Sequence, residues 1–179
     1  RPLIEAEFTA ANACVGDPIT FTNTSKGGIA PISYNWAFGD GNTSTVTSPT
    51  HTYATAGSYN VNLSMQDSSA PPVTDNQTHQ VTILPTPTPD FNSTLSSFNS
   101  QTMTRDFIST TQLPNGCTPT YLWDFGDGIT STLASPAHEF ARRAQGYTVT
   151  LTVTCGSCAN TKTSQALVPL GVALADFTA

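Results

Sequence analysis

Charge is what this chain has least of. Only 10% of its 179 residues are Asp, Glu, Lys or Arg, against roughly 25% in an average soluble protein. Six residues are basic, and apart from Arg142–Arg143 they stand alone. Neutralising a phosphate backbone takes clustered Lys and Arg, so nucleic acid is not an expected partner. No apolar run approaches the ~20 residues of a membrane helix, which argues against membrane insertion by this segment. No charged-then-apolar leader opens the chain; for an exported protein such a leader has been removed or lies upstream. No stretch repeats apolar residues with a 3.6-residue period, so helices are not expected. No Ser or Cys sits in a nucleophile-elbow pattern.

What the chain does have is alternation. Ile32, Tyr34, Trp36 and Phe38 alternate with polar residues, as do Tyr59, Val61, Leu63 and Met65. Tyr121, Trp123 and Phe125, and then Tyr147, Val149, Leu151 and Val153, repeat the pattern. A period of two marks half-buried strands, and turn residues such as Gly39-Asp40-Gly41 separate them. Many short strands at close intervals predict an all-β protein of sandwich or barrel type.

The alternation is part of an internal repeat. Tyr34-Asn-Trp36-Ala-Phe38-Gly-Asp40-Gly41 returns 87 residues later as Tyr121-Leu-Trp123-Asp-Phe125-Gly-Asp127-Gly128. Ser48-Pro49-Thr-His51-Thr-Tyr53 returns as Ser135-Pro136-Ala-His138-Glu-Phe140, and Gly57-Ser-Tyr59-Asn-Val61 as Gly146-Tyr147-Thr-Val149. Asp176-Phe177-Thr178-Ala179 echoes Glu7-Phe8-Thr9-Ala10 and Asp90-Phe91-Asn92-Ser93, which reads as the first strand of a third repeat or an assembly strand. The domain expectation is 1–84, a proline-rich linker at 85–89, a second domain at 90–170, and a further start at 171–179. Alternating prolines favour an extended, semi-rigid polyproline spacer.

Trp-x-Phe-Gly-Asp-Gly, then Ser-Pro-x-His-x-Tyr/Phe, then Gly-x-Tyr-x-Val-x-Leu, resembles the PKD (polycystic kidney disease) domain family, in the style of bacterial extracellular and surface proteins. Both copies match, and together they span nearly the whole chain. The resemblance implies two tandem immunoglobulin-like, seven-stranded β-sandwiches with an extracellular or cell-surface location. Its motif positions are Trp36, Phe38, Asp40, Gly41, His51 and Tyr53 in one copy, and Trp123, Phe125, Asp127, Gly128, His138 and Phe140 in the other. The sequence departs from the pattern at Ala37, where Asp is common as at Asp124, at Phe140, and in the inserted Arg142–Arg143.

Each candidate site has a plain reading beside it. Asp40 and Asp127, with Asp124, are weak calcium candidates, because some members of the resembled family bind that ion. Calcium needs six to eight converging oxygens, and the expected role is instead an Asp-Gly hairpin turn with positive φ at both central residues; no cofactor is expected. Trp36 and Trp123 are candidate sugar-stacking platforms, but their alternation with other large apolar residues places them in cores. His51 and His138 are expected to bond backbone at a strand corner, and His79 to lie on the surface. Cys155-Gly156-Ser157-Cys158 lacks the second ligand pair that zinc needs.

The four cysteines, Cys14, Cys117, Cys155 and Cys158, favour disulfides and an oxidising compartment. Seven strands carry a chain from one end of a sandwich to the other. That places all four cysteines at one junction between stacked copies. The expectation is an inter-domain bond from Cys14 to Cys117, Cys155 or Cys158. The rival is a bond within the second copy that leaves Cys14 and one other thiol unpaired.

The functional expectation is a non-catalytic, extracellular structural or adhesive array: a rod, filament or adhesin segment whose partners are neighbouring modules or copies of itself. The alternative is an accessory module of a secreted hydrolase, binding extracellular polysaccharide or protein.

Overall fold

In a computed structural model the described residues are 3–141 and 146–166. The expected third-repeat strand at 171–179 and the Arg142–Arg143 insertion lie outside them. The chain divides into two units, Arg1–Pro85 and Thr86–Ala179.

The first unit holds β1 (Ile4–Glu5), β2 (Phe8–Thr9), β3 (Ala13–Cys14), β4 (Pro18–Thr20), β5 (Thr22–Asn23), β6 (Lys26–Gly27), β7 (Ser33–Ala37), β8 (Thr43–Ser44), β9 (Thr50–Thr52), β10 (Gly57–Gln66) and β11 (Thr74–Leu84). The larger sheet runs β3-β11-β10-β7-β8, and the opposite layer is the short pairs β1-β6, β2-β5 and β4-β9. Seven strands were expected; here the opposite layer is broken into two- and three-residue pieces. The N-terminal strand changes partner along its length. It pairs antiparallel through Phe8 with Asn23, then parallel through Ala13 with Ile83.

The second unit has seven described strands: β12 (Phe91–Phe98), β13 (Thr102–Ser109), β14 (Pro119–Asp124), β15 (Thr130–Ser131), β16 (Ala137–Ala141), β17 (Tyr147–Cys155) and β18 (Cys158–Ala166). They form two sheets, β12-β13-β16 and β15-β14-β17-β18.

The period-two pattern becomes the core directly. Trp36, Phe38, Val61, Leu63 and Met65 bury against Phe8, Ile19 and Phe21. Trp123, Phe125, Val149, Leu151 and Val153 bury against Met103, Phe107 and Phe140. Both indoles are 0% exposed, so neither tryptophan is a surface platform. Each indole Nε1 donates to a carbonyl, Val46 for Trp36 and Leu133 for Trp123, at 2.9 Å in both cases. A buried N–H needs such a partner.

The proline segment is not a spacer throughout. Thr88 and Gln112 exchange backbone hydrogen bonds, and Asn160 Nδ2 donates to the Pro87 carbonyl. Its second half is thereby built into the second unit, because the residues flanking these prolines still carry bondable backbone groups.

Candidate functional site

The repeated motif closes on itself. Gly39 has φ +84° and Gly41 φ +94°, while no residue other than glycine has positive φ among the described residues. The expected turn with positive φ at Asp40 is therefore corrected: glycines on either side take the left-handed conformations. Gly39 is fixed by space as well, since an added Cβ would stand 2.8 Å from the Asn60 carbonyl oxygen. Asp40 keeps ordinary φ and turns its carboxylate inward over the loop, accepting from the Asn42 amide at 3.0 Å.

This carboxylate meets the histidine of the motif. His51 Nε2 lies 2.7 Å from Asp40 Oδ2, and His138 Nε2 lies 2.7 Å from Asp127 Oδ2. The expectation that these histidines bond backbone is corrected in both copies. Each imidazole is stacked flat on a motif phenylalanine, Phe38 at 4.2 Å and Phe125 at 4.0 Å between centroids. Each is met edge-on by the next aromatic, Tyr53 or Phe140. Burial alone would raise the Asp40 and Asp127 carboxyls. The histidine bonds, with loop backbone amides, outweigh it and hold both below the ordinary value. Tyr53 donates to the Phe38 carbonyl at 2.9 Å. Its burial and the nearby Asp40 charge push the phenol up to about 12.

An Asp–His pair can serve a general base only if the imidazole also faces a reacting group. Among the described residues, neither ring is hydrogen-bonded to a Ser, Thr or Cys. The pair instead ties the Trp-to-Gly loop to β9 or β16. Nor do the calcium candidates converge: Asp124 Oδ1 accepts from Gly126 N, while Asp127 faces His138. Among the described residues no three His, Cys, Asp or Glu side chains could jointly hold a metal ion.

Two further carboxylates organise the first unit, and neither was singled out from the sequence. Glu7 Oε1 lies 2.6 Å from His79 Nε2 and its Oε2 accepts from Gln77. The His79 bond, the Phe8 amide and Gln77 lower the Glu7 carboxyl to about 2. His79 lies at the surface, its side chain 43% exposed, and is one half of a pair that the sequence did not reveal. Asp67, 4% exposed, accepts from Ser69 Oγ at 2.6 Å, Val73 N at 2.9 Å and Ile29 N at 3.3 Å. These donors, the Ser69 hydroxyl foremost, lower its carboxyl to about 2. Asp67 followed two residues later by Ser69 is an Asx-turn signal that a closer reading of the turn would have found.

In the second unit Cys117 and Cys155 form a disulfide with Cα atoms 5.5 Å apart. It closes off two of the three partners expected for Cys14. None of the four cysteines is a free thiol, which corrects the rival expectation of unpaired cysteines. Disulfides of this kind belong to an oxidising compartment.

Two all-β units, each burying the motif tryptophan and each tying its motif aspartate to its motif histidine at 2.7 Å, define a tandem pair of immunoglobulin-like modules. The chain belongs to the PKD domain family, whose profile matches residues 1–83 and again 85–168. It is 45% identical over 71 residues to a microbial collagenase of Vibrio alginolyticus, covering 38% of this chain and 8% of that protein. It is 45% identical over 62 residues to the pre-pro-metalloprotease PrtV of Vibrio cholerae serotype O1, covering 35% and 6%. Over 37 residues it is 57% identical to collagenase ColA of Bacillus cereus, covering 21% and 4%. The matched stretch is thus under a tenth of each relative's length. Among solved structures, the fibronectin(III)-like modules of Clostridium thermocellum CbhA align over 90% of this chain and 94% of theirs, at 13% identity and TM-score 0.39.

Proposed function

We propose that this chain is a non-catalytic, extracellular structural and adhesive segment that spaces and presents other parts of a larger surface protein. One observation carries the reading. The same polar lock, Asp–His–aromatic, recurs in both modules and is used to hold a loop to a strand. Buried tryptophans count against a sugar-stacking strip.

The relatives favour a second reading. They are collagenases and a metalloprotease, and the PKD stretches are a small part of each. As an accessory module the chain would hold a hydrolase on an insoluble protein or polysaccharide. Co-sedimentation of the 179-residue chain with insoluble collagen, chitin and cellulose separates the two. The structural reading, whose adhesion is to neighbouring modules or copies of itself, expects the chain to stay in the supernatant with all three. Saturable depletion by any one of them overturns it in favour of the accessory module.

A further inference from the structure

The sheet edges of the two modules differ in a way neither reading requires. An open strand edge is a row of unpaired N–H and C=O groups, and proteins blunt it with shortness, charge or proline. Among the described residues, every edge strand but one follows that rule. Those of the first module are two or three residues long. In the second, β15 has two residues, β16 carries Glu139, and β18 carries Lys162, which bridges Asp90 at 3.4 Å. The exception is β12, eight residues from Phe91 to Phe98, paired only with β13. It contains no charged residue and no proline, and Leu95 on it is 50% exposed.

We propose that the β12 edge is a self-association surface, and that its occupant is β12 of a second copy of this chain. The regular ladder of β12 runs from Phe91 to Leu95 and ends at a bulge between Leu95 and Ser97. Phe-Asn-Ser-Thr-Leu is self-complementary in antiparallel register about Ser93. Phe91 then faces the partner's Leu95, Asn92 the partner's Thr94, and Ser93 the partner's Ser93. Phe91 packs on the core, and Leu95 stands opposite inward-facing Arg105, so this pairing lays an exposed leucine over the rim of the other core. On the outer face it sets an amide against a hydroxyl. A chain of net charge −6 repels its copies, and β12 carries no charged residue of its own to add to that repulsion. The two-fold symmetry is the usual one for an isologous pair. A five-residue edge makes a weak bond, which repetition along a longer array would multiply.

The test uses the full 179-residue chain. In sedimentation velocity from micromolar to millimolar concentration, the mass is expected to rise towards twice the monomer, and hydrogen exchange of the amides of residues 91–95 to slow in step. Thr94→Lys sets two lysines beside the two-fold axis and is expected to abolish both changes. Ile108→Lys, exposed on the neighbouring strand, is expected to leave them. Opposed residues in an antiparallel pair have Cα atoms about 4.5–5.5 Å apart, within disulfide reach. Ser93→Cys is therefore expected to oxidise to a disulfide that joins two copies through the substituted position. A monomer at every concentration with no such crosslink overturns the proposal. So does association that persists in Thr94→Lys; it would place the contact elsewhere.

Discussion

The two modules solve the same problem at one end of the sandwich with different chemistry. The strand carrying Trp36 or Trp123 has a neighbour, β10 or β17, whose end adjoins a loop that must be pinned. Gln66 pairs with Ser33 in the first module and Thr154 with Thr120 in the second, so Asp67 and Cys155 hold equivalent places. In the first, Asp67 gathers Ile29 N, Ser69 and Val73 N. In the second, Cys155 is bonded to Cys117. The carboxylate acts on the folded state, through hydrogen bonds that are strong because the acceptor is charged. The disulfide acts chiefly by restricting the unfolded chain. A repeat can therefore keep a fold while replacing what closes it, provided the replacement reaches the same two segments.

The largest expected effect follows from that difference. Cys117→Ala with Cys155→Ala opens a loop with a sequence separation of 38 residues, and loop entropy sets the loss at about 4 kcal/mol. Denaturant unfolding followed by hydrogen exchange should show the loss in peptides of the second module alone. An equal loss in both would break the comparison. Asp67→Asn should destabilise the first module alone, by less.

Acid sharpens the contrast. Glu7 and Asp67 have carboxyls lowered to about 2, below the ordinary range near ~4. Their contribution is complete above that range and is lost as the pH falls through about 2, because the unfolded chain binds the protons first. Asp40 and Asp127 are both lowered by a histidine bond, one in each module, so they do not set the two modules apart in direction. Between pH of about 4 and about 2 the first module should therefore lose more stability than the second. Module-resolved hydrogen exchange reads this directly, and equal losses would show that Glu7 and Asp67 are not the source.

Matched features should give matched effects. His51→Asn and His138→Asn each remove a bond to a carboxylate and a flat contact with a phenylalanine. Each should cost roughly 1–3 kcal/mol, within a few tenths of one another.

Most of the fold was legible because the alternation of Tyr34, Trp36 and Phe38 fixes which face is buried, and a second copy confirms the period. The lock was only half legible. The sequence placed Asp40 and His51 in one motif, but bringing them within 2.7 Å depends on Gly39 fitting against the Asn60 carbonyl, a contact between distant strands. Glu7–His79 was not legible at all: the residues are 72 apart and meet because β2 crosses beside β11. The broken first strand was equally hidden, since its partner change is set by what the two sheets leave open.

The smallest effect should run the other way. Ile19 and Arg105 occupy the same place: each is paired in register with the motif histidine, His51 or His138. Ile19 is 3% exposed in an apolar core, and Arg105 is 8% exposed with its Nε unpartnered among the described residues. Its Nη1 donates to Ser93 Oγ at 2.9 Å. An interior guanidinium that lacks a carboxylate gains little for its desolvation. Arg105→Ile, which copies the first module, should therefore stabilise the second by about 1 kcal/mol, read as a shift in its denaturation midpoint. The same change releases Ser93 from this inward tether, so β12 should exchange its amides faster even as the core tightens. A destabilised second module would mean that the arginine anchors the edge strand more than it burdens the core.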